Sequence, residues 1–274
     1  MNKEQFDFFS KYIEKEIGIV YSEENRFQLQ ARLNDIMKFY SLSTFDDLYH
    51  KAKDGISSTF KQLLLDIATN NETLFFRDQK VFQGLAKFVL PELISSLPPG
   101  ETLKIWSAAC SFGQEPYSIA IALMELKKKM FVPNFQIVAT DISSIALERA
   151  NSARYSQLEV QRGLPIHLLI QYFTKDPDDY WTLKPEVRSS VRLQIKNLKD
   201  SFTDLGNFHL IFCRNVLIYQ KLDNKIDIIH RLEKQLTQKG RLLLGSAESM
   251  IGISDRFSQV IREGMIMYQS KSNS

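Results

Sequence analysis

Cysteine and histidine are scarce in this chain of 274 residues. The two cysteines, Cys110 and Cys213, each end an apolar run that is typical of a buried strand. Two cysteines are too few for a disulfide scaffold, so we expect both to be buried, reduced thiols. The four histidines are dispersed, and none has the spacing of metal ligands. We therefore predict no metal site.

Long hydrophobic runs are also missing. A membrane-spanning helix needs about 20 apolar residues, and runs such as Ile119–Leu126 are much shorter. The segment Met1–Asp7 contains acids and no apolar core, unlike a secretory signal. We therefore expect a cytoplasmic protein without membrane insertion. Its hydrophobic fraction of 44% is sufficient for a packed core.

A large excess of charge is absent as well, because the formal net charge is only +3. Residues 1–75 contain nine Lys/Arg and twelve Asp/Glu, so the basic excess lies in the remainder of the chain, where it forms no dense run. Nucleic-acid binding usually requires a basic patch with interleaved aromatics, so no nucleic-acid partner is expected.

Apolar stripes at helical spacing dominate the first part of the chain. Helices are predicted at Gln5–Ile17, from Ser22 as N-cap to Phe39, from 43 to about 55, and at Ser57–Ala68. No strand pattern precedes residue 100. Residues 1–78 are therefore expected to form a helical domain. A longer helix is predicted over Asp78–Ser96, broken by Pro91, and we assign residues 79–99 as a linking helix.

After Pro98-Pro99-Gly100 the pattern changes to alternating strands and helices. The predicted strands are Leu103–Cys110, Phe135–Thr140, Val191–Ile195, Phe208–Phe212, Arg241–Gly245 and Met265–Gln269. The predicted helices are Pro116–Lys129 with Pro116 at its first position, Ser143–Ala153, and Leu222–Leu236 ended by Gly240. This alternation indicates an α/β domain over 100–274 with a parallel sheet and helices on both faces. Residues 155–190 interrupt it, and strand-like Tyr180–Leu183 suggests a small excursion with a hairpin.

The turn after the first strand, Ser107–Pro116, consists mainly of small residues with one glycine and enters a helix. Such a turn lets a ligand approach the backbone and the free N–H groups of a helix N-terminus. It lacks the Gly-x-Gly-x-x-Gly pattern of dinucleotide sites. Glu115 would repel a pyrophosphate but suits the ammonium of an amino-acid ligand. A tight strand-to-helix turn without a ligand is the structural alternative.

Asp141 ends the second strand, where an acid can accept hydrogen bonds from ribose hydroxyls. It can also cap the next helix, although Ser143 and Ser144 are available for that role. Asn197 and Asn215 follow strands at the same edge, either as readers of adenine or ribose or as plain turn residues. A ribose acceptor, an ammonium-compatible acid and no phosphate cradle together predict S-adenosylmethionine rather than NAD or ATP.

At these residues the sequence resembles the CheR family of chemotaxis receptor glutamate O-methyltransferases, a Rossmann-like S-adenosylmethionine methyltransferase fold. Four segments carry the resemblance in order: Asn71-Glu72-Thr73-Leu74-Phe75-Phe76-Arg77-Asp78, Ile105–Ser118, Ala139-Thr140-Asp141-Ile142, and Phe212-Cys213-Arg214-Asn215-Val216-Leu217-Ile218-Tyr219. Each motif alone is modest, but the four occur in register over nearly the whole chain.

The resemblance implies methyl transfer to glutamate carboxylates on the cytoplasmic helices of chemoreceptors, with S-adenosylhomocysteine as product. It implies contact with the cofactor for nine residues: Asn71, Thr73, Arg77, Glu115, Asp141, Asn197, Leu198, Arg214 and Asn215. It places Arg77 and Tyr219 near the transferred methyl group, as catalytic residues. Their structural alternatives are a surface arginine at a helix start and a core tyrosine. Phe75 and Phe76 are expected in the core.

The family's middle excursion is a small antiparallel β-subdomain, expected here within about 155–192, and some members use it to dock a receptor-tail peptide. The loop Thr174–Asp179 is short and lacks the glycine found in tail-docking members, so we predict no tail docking. Phe112 and Gln114 depart from the family loop, but Gln114 keeps a hydrogen-bonding side chain beside the cofactor, so activity is expected to survive. We expect a monomer.

Two alternatives stay open from sequence. One is a non-catalytic module that binds the cofactor and signals by interaction. The other is a methyltransferase with another substrate, RNA or a small molecule.

Overall fold

Four helices form the first part of the computed structural model, which describes residues 1–271. They are α1 Lys3–Ile17, α2 Arg26–Phe39, α3 Phe45–Lys53 and α4 Ser58–Ala68. The side chains of Asn2, Thr44 and Ser57 accept backbone N–H groups at the starts of α1, α3 and α4. Ser22 makes no such bond, because a short 3₁₀ turn at Glu23–Asn25 precedes α2. The apolar stripes of the four helices meet in a core of their own.

The segment after Asp78 is helical in three parts. It comprises α5 Gln79–Gly84, a π-helical turn at Leu85–Val89 and α6 Leu90–Ser96. The prediction that Pro91 breaks this helix is wrong. The N–H of Leu90 still donates to the carbonyl of Leu85, and Pro91 then lies in the first turn of α6, where an N–H is not needed.

The remaining elements alternate as predicted. The strands are β1 Leu103–Ala108, β2 Phe135–Asp141, β3 Arg154–Tyr155, β4 Phe173–Lys175, β5 Trp181–Leu183, β6 Val191–Ile195, β7 Phe208–Cys213, β8 Leu236–Leu244, β9 Phe257–Arg262 and β10 Met265–Ser270. The helices are α7 Gln114–Lys127, α8 Ser144–Ser152, α9 Gln157–Gln161, α10 Ile166–Tyr172, α11 Pro185–Arg188 and α12 Leu222–Lys234. Pro116 lies at the third position of α7, not the first, because Gly113 is the N-cap.

Seven strands form the main sheet in the order β6-β2-β1-β7-β8-β10-β9. The first five are parallel, while β10 and β9 are antiparallel, so the predicted α/β class is confirmed with a mixed edge. Strand β9 was not predicted. Along β1, Ile105 packs on the face covered by α6 and α7, and Trp106 on the face covered by α12.

The prediction that Gly240 ends a helix is wrong, because α12 ends at Lys234 and Gly240 lies inside β8. The pairing of β7 with β8 shifts register between Phe208 and Leu210. A Cβ at Gly240 would lie 3.0 Å from the carbonyl oxygen of Phe208. The glycine therefore permits a close backbone approach at an irregularity of the sheet.

The excursion is a three-stranded antiparallel sheet, ordered β3-β5-β4, accompanied by α9, α10 and α11. It contains the predicted hairpin, with Trp181–Leu183 as one strand. Within residues 1–271, no helix combines the length and the apolar character that crossing a bilayer requires.

Candidate active site

A cavity lies where β1, β2 and β7 end and the helical domain meets the sheet. All ten predicted site residues line it: Asn71, Thr73, Arg77, Glu115, Asp141, Asn197, Leu198, Arg214, Asn215 and Tyr219. They come from segments far apart in the chain. The ten residues come together because the carboxyl ends of adjacent parallel strands lie at one edge of a sheet.

Asp141 is 5% exposed and points its carboxylate at the turn that follows β1. Its oxygens accept the N–H groups of Ser111, at 2.8 Å, and Ser143, at 2.9 Å. Burial raises the pKa of this carboxyl above its ordinary value of 3.8, against the lowering effect of these backbone donors. The hydroxyl of Ser143 caps α8, so Asp141 is not required as that cap. A carboxylate has about four acceptor positions, so capacity remains for ligand hydroxyls.

Arg214 joins two carboxylates at the cavity wall. Its side chain is 1% exposed; Nη1 donates to Glu115 at 3.0 Å, and Nη2 donates to the carboxylate of Asp78. The second oxygen of Glu115 accepts the hydroxyl of Ser107 at 2.8 Å. Glu115 is therefore already paired within the protein. Two carboxylates around one guanidinium still leave a net charge of −1, which favours a cationic ligand group.

The Nε of Arg214 is buried without a hydrogen-bond partner. A buried donor of this kind costs about 1–3 kcal/mol unless an acceptor satisfies it. Because Arg214 lines the cavity, an acceptor brought by a ligand, such as a carboxylate, fits this position.

Arg77 reaches the cavity from an irregular segment. The residues on either side of it, Phe76 and Asp78, have φ values of 51° and 64°. The guanidinium donates to the carbonyl of Glu72 at 3.0 Å, and the N-cap residue of α5 is Asp78, so Arg77 is not a cap of that helix. Phe76 is buried, as is Phe75, which confirms that both belong to the core.

Asn197 and Tyr219 each bond to the helical domain while they line the cavity. The amide of Asn197 donates to the carbonyl of Glu16 at 2.8 Å, and its oxygen accepts the N–H of Lys199 at 3.0 Å. Asn197 therefore does act as a turn residue, which is one of the two roles that the sequence left open. The hydroxyl of half-buried Tyr219 accepts from the amide of Asn70 at 2.8 Å, so Tyr219 is not a core residue.

The helical domain contributes cavity residues that the sequence did not indicate, among them Ile17 and Ile19. Side chains of the sheet domain bind the last backbone carbonyls of α1. Lys199 Nζ donates to the carbonyl of Lys15 at 2.6 Å, and Gln220 Nε2 donates to the carbonyl of Ile17 at 3.0 Å. The one sign of this contact in the sequence is Gly18, which ends α1 with a φ of 78°. A Cβ at Gly18 would collide with the side chain of Gln220.

The two departures from the family loop lie outside the cavity lining. Phe112 packs under the guanidinium of Arg149, 4.0 Å from the ring centroid, and its carbonyl accepts the hydroxyl of Tyr155. Gln114 is 1% exposed, and its side-chain oxygen has no partner. Gln114 is therefore a buried residue at the start of α7 that does not line the cavity.

Comparison with known proteins finds two family domains in the chain. Residues 4–68 match the CheR methyltransferase all-alpha domain, and residues 71–265 match the CheR methyltransferase SAM binding domain. Chemotaxis protein methyltransferase Cher2 of Pseudomonas putida is 37% identical over 97% of this chain and 98% of its own length. Chemotaxis protein methyltransferase 1 of Pseudomonas aeruginosa is 37% identical over 97% of each chain. Chemotaxis protein methyltransferase 1 of Vibrio cholerae is 34% identical over 99% of this chain and 98% of its own.

Proposed function

Because the chain belongs to the CheR methyltransferase family, we propose that it transfers the methyl group of S-adenosylmethionine to glutamate side chains of chemoreceptors. One observation carries the assignment of the site: ten residues chosen from separate sequence motifs line a single cavity at the carboxyl edge of the sheet. The chain is an S-adenosylmethionine-dependent methyltransferase, and the proposal concerns its substrate and the role of each residue.

The cavity residues fit the parts of this cofactor. Asp141 keeps acceptor capacity for the ribose hydroxyls. The net negative group of Arg214, Asp78 and Glu115 suits the ammonium of the methionine part. The unpartnered Nε of Arg214 suits its carboxylate. Asn71, Thr73, Asn197, Leu198 and Asn215 complete the proposed set of cofactor contacts.

The bound cofactor supplies a methyl group on a positively charged sulfur. A glutamate side chain, with an ordinary pKa of about 4.3, is already ionised at neutral pH and needs no general base. The residues of this chain therefore act by alignment and by exclusion of water. We assign Arg77 to orient the incoming carboxylate through charge-assisted hydrogen bonds. Tyr219 also lines the cavity, and we assign its hydroxyl to the reacting end of the bound cofactor.

The partner is proposed to be the cytoplasmic helices of a chemoreceptor, met by a monomer of this chain in the cytoplasm. A tail-peptide tether is not part of the proposal. The aspartates of the loop between β4 and β5 are paired within the subdomain. Asp176 and Asp178 pair with Arg154 of β3 at 2.6 Å and 2.9 Å, and Asp179 pairs with Lys175 of β4 at 2.7 Å. These contacts fill the loop with internal partners, and both edge strands of the subdomain are only two or three residues long.

The test is methyl transfer from radiolabelled S-adenosylmethionine to membranes that carry chemoreceptors. We expect labelled receptor whose label is released by base, as glutamate methyl esters are. Receptor variants with glutamine at the accepting positions are the matched control. Cofactor binding without transfer would instead favour a non-catalytic signalling module. Labelled RNA or small molecules, with unlabelled receptor, would favour another substrate.

A further inference from the structure

Glu248 lies in the turn after β8, outside the set of residues that line the cavity. Its carboxylate accepts five backbone N–H groups. Oε2 accepts from Asn215 and Gly245, both at 2.7 Å. Oε1 accepts from Val216 at 3.0 Å, Leu217 at 2.7 Å and Ile218 at 3.2 Å.

Four of these donors belong to consecutive residues of one segment, 215–218. That segment runs between Arg214 and Tyr219, and together with them it forms the signature turn after β7. Four cavity residues, Arg214, Asn215, Val216 and Tyr219, are therefore carried by a stretch of backbone whose N–H groups converge on Glu248. Asn215 has a φ of 59°, a left-handed conformation that asparagine tolerates, so the backbone of the turn is neither helical nor extended at this residue.

Only an ionised carboxylate suits this arrangement. It accepts at both oxygens and has no donor, and its bonds to N–H groups are charge-assisted. A glutamine of nearly the same shape would turn an NH₂ group against two or three N–H donors. The chemistry of the side chain, and not only its volume, is therefore what the turn requires.

Gly245 shows independently that the end of β8 is packed closely against the signature turn. A Cβ at this position would lie 2.7 Å from Nδ2 of Asn215, 2.8 Å from its backbone nitrogen and 2.8 Å from Oε2 of Glu248. The N–H of Glu248 donates to the carbonyl of Gly245 at 2.9 Å and closes a tight turn. The backbone at the end of β8 thus lies directly against the signature turn, without room for a side chain.

We propose that Glu248 is a positioning residue for the methyl-transfer site, acting by fixing the backbone of residues 215–218 so that Asn215 and Tyr219 point into the cavity. This inference rests on the proposed function for its catalytic consequence. The anchoring itself is a property of the free protein. Glu248 has no proposed contact with cofactor or substrate.

The experiment compares Glu248→Gln, Glu248→Asp and a matched control, Glu263→Gln, which changes an exposed glutamate in the turn between β9 and β10. Hydrogen exchange of the peptide that contains residues 215–218 is measured first, without cofactor. Glu248→Gln is expected to accelerate this exchange at least tenfold, and Glu263→Gln to leave it unchanged. Titration calorimetry with S-adenosylhomocysteine and methyl transfer to receptor membranes follow.

The order of the two variants is the decisive result. Aspartate is shorter but keeps the carboxylate, so Glu248→Asp should retain more product affinity and more kcat than Glu248→Gln, whose kcat should fall at least tenfold. The loss from Tyr219→Phe should also be smaller in the Glu248→Gln background than in the wild type. Unchanged exchange at 215–218 in Glu248→Gln, or equal activity of glutamine and wild type, overturns the proposal. If the wild type does not methylate receptors, the proposed function fails, while the exchange measurement still decides whether Glu248 anchors the turn.

Discussion

Replacement of Arg214 by methionine is the most direct probe of the charged group in the cavity wall. The guanidinium is 1% exposed and is shared by Glu115, whose side chain is 13% exposed, and Asp78, whose side chain is 33% exposed. Methionine keeps much of the buried volume but removes both ion pairs. Breaking a buried pair by removal of one partner costs about 3–5 kcal/mol, because the remaining charge is left without compensation.

The structure places the expected cost near the lower end of that range. Asp78 is one-third exposed and can be rehydrated when its partner is lost, whereas Glu115 keeps only the hydroxyl of Ser107. We therefore expect Arg214→Met to lower the free energy of unfolding by about 3 kcal/mol. At roughly 2–4 °C per kcal/mol for a domain of this size, the melting temperature should fall by about 6–12 °C.

The assay is thermal and urea unfolding of the free protein, with Arg214→Met/Glu115→Gln as the companion variant. The second change removes the charge that the first leaves unpaired, so the double variant should be more stable than Arg214→Met alone. A melting temperature of Arg214→Met within about 2 °C of the wild type would refute the argument. So would a double variant that loses the sum of the two single effects.

Three further outcomes are expected from the cavity and the subdomain. Arg77→Ala should reduce methyl transfer much more than it reduces calorimetric affinity for S-adenosylhomocysteine, whereas Asp141→Ala should mainly weaken that affinity; equal losses of both properties in both variants would contradict the assigned roles. Burial raises the pKa of Asp141 above 3.8, and protonation of the carboxylate removes an acceptor for the ligand. The affinity for S-adenosylhomocysteine should therefore fall as the pH is lowered through a value above 3.8. An affinity that stays unchanged down to pH 4 would contradict this prediction. In the free protein, the raised pKa of Asp141 stabilises the fold at low pH, and this contribution to the free energy of unfolding is lost as the pH rises through the raised pKa. A receptor-tail peptide should give no binding heat, since the loop Thr174–Asp179 has internal partners, and tight binding would disprove that prediction.

Local patterns predicted most of the fold correctly, because they depend on neighbouring residues. The apolar stripe of α1 repeats every three or four positions, and Thr44 and Ser57 belong to the residue types that favour helix N-caps. The cavity residues were also accessible from sequence. Residues such as Asp141 and Asn197 follow predicted parallel strands, and the carboxyl ends of such strands lie at one edge.

Most of the errors arose where the outcome depends on distant parts of the chain. Gly240 suggests the end of a helix, but it allows close approach to Phe208 on a neighbouring strand. Pro91 suggests a break, but a π turn before it keeps the helix continuous. The pairing of Glu115 was not visible from the sequence, because its partner Arg214 is 99 residues away. Glu248 had no local signal, since an isolated glutamate after an apolar strand reveals nothing of the five N–H groups that it accepts.

The contact between the helical domain and the sheet domain explains why the proposed cofactor cavity is not a property of the sheet alone. The last carbonyls of α1 have no partners within the helix, and Lys199, Asn197 and Gln220 supply donors from the sheet domain. The positive charge of Lys199 also opposes the negative end of the helix dipole. Asn197 lines the cavity with the same side chain that holds α1. The docking of the helical domain and the shape of the cavity therefore depend on the same hydrogen bonds.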